Sequence, residues 1–298
     1  AVISFTNVAA DEVVRRLGPG SAHVEVSTIH GFLYRNVVKP YLHFVTDSAT
    51  GEPLFDFAAV DGHDDHVPSY KRVTEWLDTL KLNRKQMFFF THGEGRAKVD
   101  ISLRKLRWER ESDTSDWALG SGSWEFRQLS GPIKDGLLDY KKQYWKDGHL
   151  DHDDVLRFAH LLLTDHPPLL DHLSARFPYV FVDEFQDTSP LQAELVRWMA
   201  ERGATVGVIG DAEQSIYGFN GAAPEQFMDF ELPGVVDYVI EGNRRSTDRI
   251  VEVLNRVRAD GVEQRGTRET LGEEVAIVVG NLSALAEHMA TITPPPTF

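Results

Sequence analysis

Residues 179–189 read YVFVDEFQDTS, an apolar run that stops abruptly in carboxylates. Such a run is a buried strand, and in open α/β folds ligands gather at the carboxyl ends of the strands. Asp183 and Glu184 are therefore placed at the edge of a sheet. A later stretch, TVGVIGDAEQSIYGFNGA (205–222), repeats the design: an apolar strand, then Asp211 and Gln214. Two strands that carry metal-competent and amide groups to the same edge point to a nucleotide site. No Gly is followed by Lys anywhere, so the chain has no GxxxxGK(S/T) loop to hold a triphosphate.

The chain has 298 residues, room for about two domains, and 42% of them are hydrophobic, which fits a packed globular protein. No apolar run approaches the ~20 residues of a membrane-spanning helix, and no secretory signal is visible. Cysteine is absent, which excludes disulfides and Cys-ligated zinc and fits a cytoplasmic protein. The net charge of −15 argues against bulk electrostatic binding of nucleic acid. A local track that stacks bases and holds phosphates is compatible with it. The chain opens on Ala1 in strand-like sequence and ends in a Pro-rich stretch, as expected of a piece of a longer or processed protein.

Outward from the two strands, the pattern predicts a parallel sheet. Residues 1–6 form a strand and 8–17 a helix stopped by Gly18-Pro19-Gly20. A second strand holds Val24 and Val26. Residues 69–82 have helical spacing through Val73, Leu77 and Leu80. Residues 97–110 and 123–129 are expected as strands, with a bulge where the parity slips between Leu103 and Leu106. Residues 41–130 thus form a subdomain inserted into the sheet. Residues 133–173 are helical. Ser189-Pro190-Leu191-Gln192 is a capping box that opens an amphipathic helix. Val235 to Ile240 form a strand, Ser246 or Thr247 caps a helix through Val257, residues 258–274 are linker-like, and Val275 to Val279 form a last strand.

Hydrolysis of a nucleoside triphosphate needs a divalent metal, a positioned water and cations on the γ-phosphate. Asp183 suits Mg²⁺, which takes few carboxylates and keeps several waters. Glu184 is placed to orient the attacking water, Gln214 to bond a γ-phosphate oxygen, and Arg245 to supply a transition-state cation.

VDEFQDTSPLQ (182–192), GDAEQSIYGFNGA (210–222) and NRRS (243–246), in this order, resemble motifs II, III and IV of superfamily 1A DNA helicases of the UvrD/Rep/PcrA type. Phe5-Thr6-Asn7 with Ala9-Ala10 resembles motif Ia, Thr28-Ile29-His30-Gly31-Phe32 the next DNA-contacting motif, and HLDHDDVL (149–156) the stretch before motif II. The resemblance runs from residue 5 to about 257, with 41–130 unmatched. It implies an α/β fold of the P-loop NTPase type: a RecA-like domain 1A over 1–38 and 131–232, an inserted α+β subdomain 1B over 39–130, and the start of a second RecA-like domain 2A over 235–298. It implies ATP and Mg²⁺ as cofactors, with Asp183 on the metal, Glu184 as catalytic base, Gln214 as γ-phosphate sensor, Arg245 as arginine finger and Arg244 in the place of a Tyr that stacks on adenine. Single-stranded DNA is the implied partner, held by Phe5, Thr6, Asn7, Thr28, His30, Tyr217, Phe219 and Asn220. Motif I is expected upstream of Ala1 and motifs V and VI beyond residue 298, so the 298-residue piece alone is expected not to turn over ATP. The short spacing from Phe5 to Thr28 is similar to that of the helicase-like subunit of Gabija-type phage-defence systems, which implies a nuclease partner.

Two other readings stand beside this one. DGHDDH (61–66) and HLDHDD (149–154) suit a metal-dependent phosphohydrolase of HD type, although loops of this composition are more often solvated. The missing phosphate loop suits a non-catalytic interaction module on a helicase-like scaffold. Arg104, Lys105, Arg107 and Trp108 mark either a nucleic-acid surface or a solvated sheet face with Trp108 in the core.

Overall fold

The structure, a computed structural model, describes residues 1–47, 50–56, 59–110, 117–215, 225–274, 281–283 and 285. The chain divides into two compact units, 1–232 and 233–298.

The first unit is built on a parallel sheet. Strand β1 (Val2–Ser4) leads into helix α1 (Asn7–Leu17), and β2 (Val26–Thr28) leads into α2 (Ile29–Leu33). Both turns are made the same way. The Thr6 hydroxyl accepts from the Ala9 amide, and the Thr28 hydroxyl accepts from the Gly31 amide. Each threonine thus satisfies an orphan donor of the helix that follows its strand. Gly18 ends α1 at φ 56°, a conformation that disfavours any side chain. After α2 the chain continues through a π-helical turn (34–38) into α3 (Lys39–Tyr41).

The inserted part is more helical than its sequence pattern predicts. Helix α4 (Tyr70–Thr79) lies where expected and buries Val73, Trp76 and Leu77. Helix α5 (Arg84–Thr91) follows, opened by a capping box of Asn83 and Gln86. Residues 97–104, expected as a strand, belong to helix α6 (Gly93–Arg104). Val99 and Leu103 are one helical turn apart and buried, while Ile101 on the other side is 37% exposed. What looked like alternation is an i, i+4 pair, and no bulge is needed. Strand β3 (Leu106–Arg110) pairs antiparallel with β4 (Trp117–Ser121). Residues 123–129 are likewise not a strand. The Ser123 hydroxyl caps the short helix α7 (Trp124–Arg127) by accepting from the Phe126 amide.

Helices α8 (Gly131–Asp135), α9 (Leu137–Trp145), α10 (His152–Asp165) and α11 (Pro167–Arg176) return the chain to the sheet. Strand β5 (Tyr179–Val182), α12 (Pro190–Glu201) and β6 (Thr205–Val208) complete it, followed by α13 (Glu225–Met228). The strand order is β2-β1-β5-β6, parallel throughout, so the expected α/β class holds. All four carboxyl ends fall on one edge.

Two hydrophobic cores fill this unit. One packs α2, α10, β5 and α12 around Phe32, Phe158, Val180 and Val196, and takes in Leu42, Val45, Phe55 and Val60. The other runs from Val73 and Trp76 through Val99 and Leu103 to Ile133, Leu137, Tyr140 and Tyr144.

The joint between the cores is ionic. The buried Lys141 ammonium on α9 donates to Asp151 and lies 2.6 Å from Asp154 Oδ2. The indoles of Trp108 and Trp145 donate to the two Asp154 oxygens at 3.0 and 2.9 Å. Burial opposes the charge on Lys141, and Asp154 and Asp151 outweigh it, holding the ammonium above its ordinary range. Trp108 is accordingly a packing residue rather than a free base-stacking surface. The variant Asp154→Ala leaves two indole donors unpaired and Lys141 with Asp151 as its remaining carboxylate, and is expected to cost about 3 kcal/mol. Urea unfolding of variant and parent measures it; a loss within the range of ordinary surface substitutions contradicts the role.

In the second unit, α14 (Asp248–Val257) begins after Thr247, as expected, and β7 (Gly242–Asn243) pairs with β8 (Arg265–Gly266) inside the stretch read as linker. Residues 235–240 form no strand: Val236, Tyr238 and Ile240 are exposed and join no ladder among the described residues. The strand expected at 275–279 lies outside the described residues. Among those residues no helix is long and apolar enough to cross a membrane.

Candidate nucleotide and DNA site

Strand β5 hands over to the site through a single strained residue. The Asp183 amide still donates to Ile3 O of β1 at 2.8 Å, in strand register. Glu184 then adopts φ 54°, ψ 42°, the left-handed region, which only a few non-glycine residues occupy. Such strain collects at functional sites. The kink sends Phe185 back into the core, fully buried, with its amide bonded to Ile209 O at the end of β6. The two acids are thereby left at the carboxyl rim.

Gln186, which is 1% exposed, ties the two loops of this rim together. Its Nε2 donates to Glu184 Oε2 at 2.7 Å, and its Oε1 accepts from the Asp211 amide at 3.0 Å. Asp211 in turn accepts from Gln214 Nε2 at 2.7 Å and from the Glu213 amide. The structure thus brings Asp183, Glu184 and Gln214 to one edge, with Glu184 and Gln214 linked through Gln186 and Asp211. The sequence pattern did not single out Gln186. Its only signal was a polar residue between two that pack inward, Phe185 and Asp187.

The rim concentrates negative charge. Burial, and then the Glu184 charge, push the Asp183 carboxyl up from its ordinary value. The same two causes raise Asp187, whose Oδ1 is buried without a hydrogen-bond partner among the described residues. Partly desolvated carboxylates crowded in this way favour a neutralising cation. The donors are hard oxygens, which suit Mg²⁺. No three His, Asp or Glu side chains are placed to share a metal among the described residues, and Mg²⁺ held by one or two carboxylates needs no such group.

Thr6, Asn7, Thr28 and His30 follow β1 and β2 at the same carboxyl edge. Thr6 and Asn7 are exposed and Phe5 is half-buried. The His30 ring packs inward, with ring centroids 5.1 Å from His152 and 6.3 Å from His63. Burial, then His152 and His63, pull its pKa down to about 3, so the ring is neutral. Tyr217, Phe219 and Asn220 lie outside the described residues. Arg244 and Arg245 belong to the second unit and are exposed there. The Asn243 side chain accepts from the amides of Arg245 and Ser246 and so fixes their turn.

The two His/Asp loops meet, with Asp64 bridged to Asp151 and His63 Nδ1 2.7 Å from His152 Nδ1. They are packed only in part: Asp61, Asp64, Asp65 and His149 are exposed, as expected of solvated loops, while His66 is turned onto the Tyr140 hydroxyl at 2.7 Å and Asp151 and Asp154 are committed to Lys141. The Asp151 and Asp154 carboxylates are used in the joint described above, which leaves the HD-type phosphohydrolase reading without a metal cluster among the described residues.

The family model of the UvrD/REP helicase N-terminal domain matches residues 1–233. The chain belongs to the UvrD/REP helicase family. It is similar to the ATP-dependent DNA helicase PcrA of Bacillus subtilis (strain 168), 36% identical over 263 residues that cover 86% of this chain and 32% of the relative. It is also similar to DNA helicase II of Escherichia coli (strain K12), 27% identical over 263 residues that cover 85% of this chain and 33% of the relative. This UvrD/REP chain thus spans about a third of the length of these curated relatives, and its parallel sheet is of the RecA-like kind.

Proposed function

We propose that the protein carrying this chain is an ATP-dependent translocase or helicase that moves 3′→5′ along single-stranded DNA. Its setting is DNA repair or phage defence in the cytoplasm, in the latter case beside a nuclease partner. The observation that carries the reading is the gathering of Asp183, Glu184 and Gln214 at one rim of β5 and β6 in a UvrD/REP family chain.

In this reading Asp183 holds Mg²⁺, which neutralises phosphate charge when bound. Glu184 accepts the proton of the attacking water. Gln214 bonds the γ-phosphate, Arg245 approaches the transition state and Arg244 stacks on the base. The loops after β1 and β2 lie on the same edge as the acids, so Phe5, Thr6, Asn7 and Thr28 form the DNA side with the inward-packed His30 behind them, and Tyr217, Phe219 and Asn220 supply further contacts. Domain 1A takes 1–38 and 131–232, the insertion 39–130, and domain 2A starts at 235. The division after 232 supports the start of 2A; the two cores cross the other boundaries, since Leu42 to Val60 pack with the sheet and Ile133 to Tyr144 with the insertion.

The test uses the whole protein. ATP hydrolysis is expected to rise on adding oligo(dT), and a duplex with a 3′ tail is expected to unwind while one with a 5′ tail does not. Hydrolysis indifferent to DNA removes the motor reading, and unwinding from a 5′ tail reverses the direction alone.

A further inference from the structure

We propose that Gln186 is a positioning residue that locks the Glu184 carboxylate to the 210–214 loop, so that the water-activating group and the γ-phosphate sensor move as one. The inference rests on the nucleotide-site reading above. A buried carboxamide must satisfy both its ends, and each end of Gln186 goes to a different loop: Nε2 to Glu184 at 2.7 Å, Oε1 to the Asp211 amide at 3.0 Å. The link runs on through the Asp211 carboxylate to Gln214 Nε2 at 2.7 Å. Four groups of two adjacent strands therefore form one hydrogen-bonded chain.

The surroundings are shaped for this amide. A Cβ built on Gly210 falls 2.6 Å from Gln186 Oε1, so any side chain there displaces the carboxamide. Glu184 is itself left-handed, and its long side chain has several staggered rotamers to choose from. Gln186 selects one of them. In this arrangement a displacement of the 210–214 loop reaches the Glu184 carboxylate through the buried Gln186 amide, the Gln214 end of the link being exposed.

Three variants of the whole protein test this. Gln186→Leu removes both ends of the link. Gln186→Glu keeps the acceptor for the Asp211 amide but sets a carboxylate against Glu184. Gly210→Ala leaves Gln186 in place and pushes its amide oxygen aside, the new Cβ otherwise lying 3.3 Å from the Gln186 amide nitrogen and the Phe227 ring. Each is expected to lower the kcat of DNA-stimulated ATP hydrolysis by about 10- to 100-fold, the cost of misplacing a reacting group by an ångström. KM for ATP and affinity for oligo(dT) are expected to stay within about twofold, as for a loss felt only in the transition state. A merely structural role predicts a lowered melting temperature with kcat intact below it. If Gln186→Leu does not fold, Gly210→Ala decides. Near-parental kcat in a folded variant overturns the inference while the motor reading stands; a parent protein without DNA-stimulated hydrolysis overturns the motor reading itself.

Discussion

Glu184→Gln is expected to lower DNA-stimulated ATP hydrolysis by the whole protein steeply and to leave nucleotide binding intact. The substitution exchanges one carboxylate oxygen for an amide of nearly the same volume. The left-handed backbone at 184 is no harder for Gln than for Glu, and the new side chain retains an oxygen for Gln186 Nε2. What is lost is the capacity to take a proton from water. A positioned general base contributes about 10²–10⁴ in rate, and that is the expected fall in kcat. Asp183 remains, so metal and nucleotide affinity are expected to hold, which fluorescence titration with a labelled ATP analogue measures. An unaltered kcat removes Glu184 from the base role. A joint loss of kcat and nucleotide binding makes it a binding residue instead.

The parts of the fold legible in the sequence are those where period and end signal agree. β5 and β6 are apolar runs that stop at Asp183 and just before Asp211, with the acids at their ends as expected, but β5 buries only Val180 and Val182 and leaves Tyr179 and Phe181 exposed. α12 was announced by its capping box, which the structure shows in full. Where period alone was available, it misled. Val99, Ile101 and Leu103 fit a strand as well as a helix, and only the exposure of Ile101 tells them apart. Val235 to Ile240 have strand-forming residues but no neighbour to pair with among the described residues. At the candidate site, Asp183, Glu184 and Gln214 were visible because each follows a strand. Gln186 was not, because its role depends on the kink at Glu184 and on a loop 25 residues away. The exposed part of the His/Asp loops, Asp61, Asp64 and Asp65, is legible from composition, but the burial of His66 and Asp151 is not, because their partners Tyr140 and Lys141 lie on α9, a helix whose packing no local pattern discloses.

Arg245→Ala is expected to have the larger kinetic effect still, and to leave stability almost untouched. The residue follows β7, and its amide is pinned by the Asn243 side chain, while its carbonyl accepts from Arg268 Nη1 at 2.9 Å. The backbone of the turn is therefore held by neighbours that the substitution leaves in place. The guanidinium itself is exposed and makes no ion pair among the described residues. A surface side chain without such contacts changes stability by only about 0.5 kcal/mol or less when truncated. A cation held in reserve for a triphosphate behaves otherwise: an arginine finger is worth about 10³–10⁵ in the rate of nucleotide hydrolysis. Melting temperature and kcat measured on the same preparation separate the two outcomes. Arg245→Lys sharpens the comparison, because it keeps the charge but loses the planar fork that grips phosphate oxygens in pairs. Recovery by Lys of only a small part of the lost rate points to bidentate contact with the phosphate. Full activity in the alanine variant makes Arg245 an ordinary surface residue and leaves the transition-state charge to another cation.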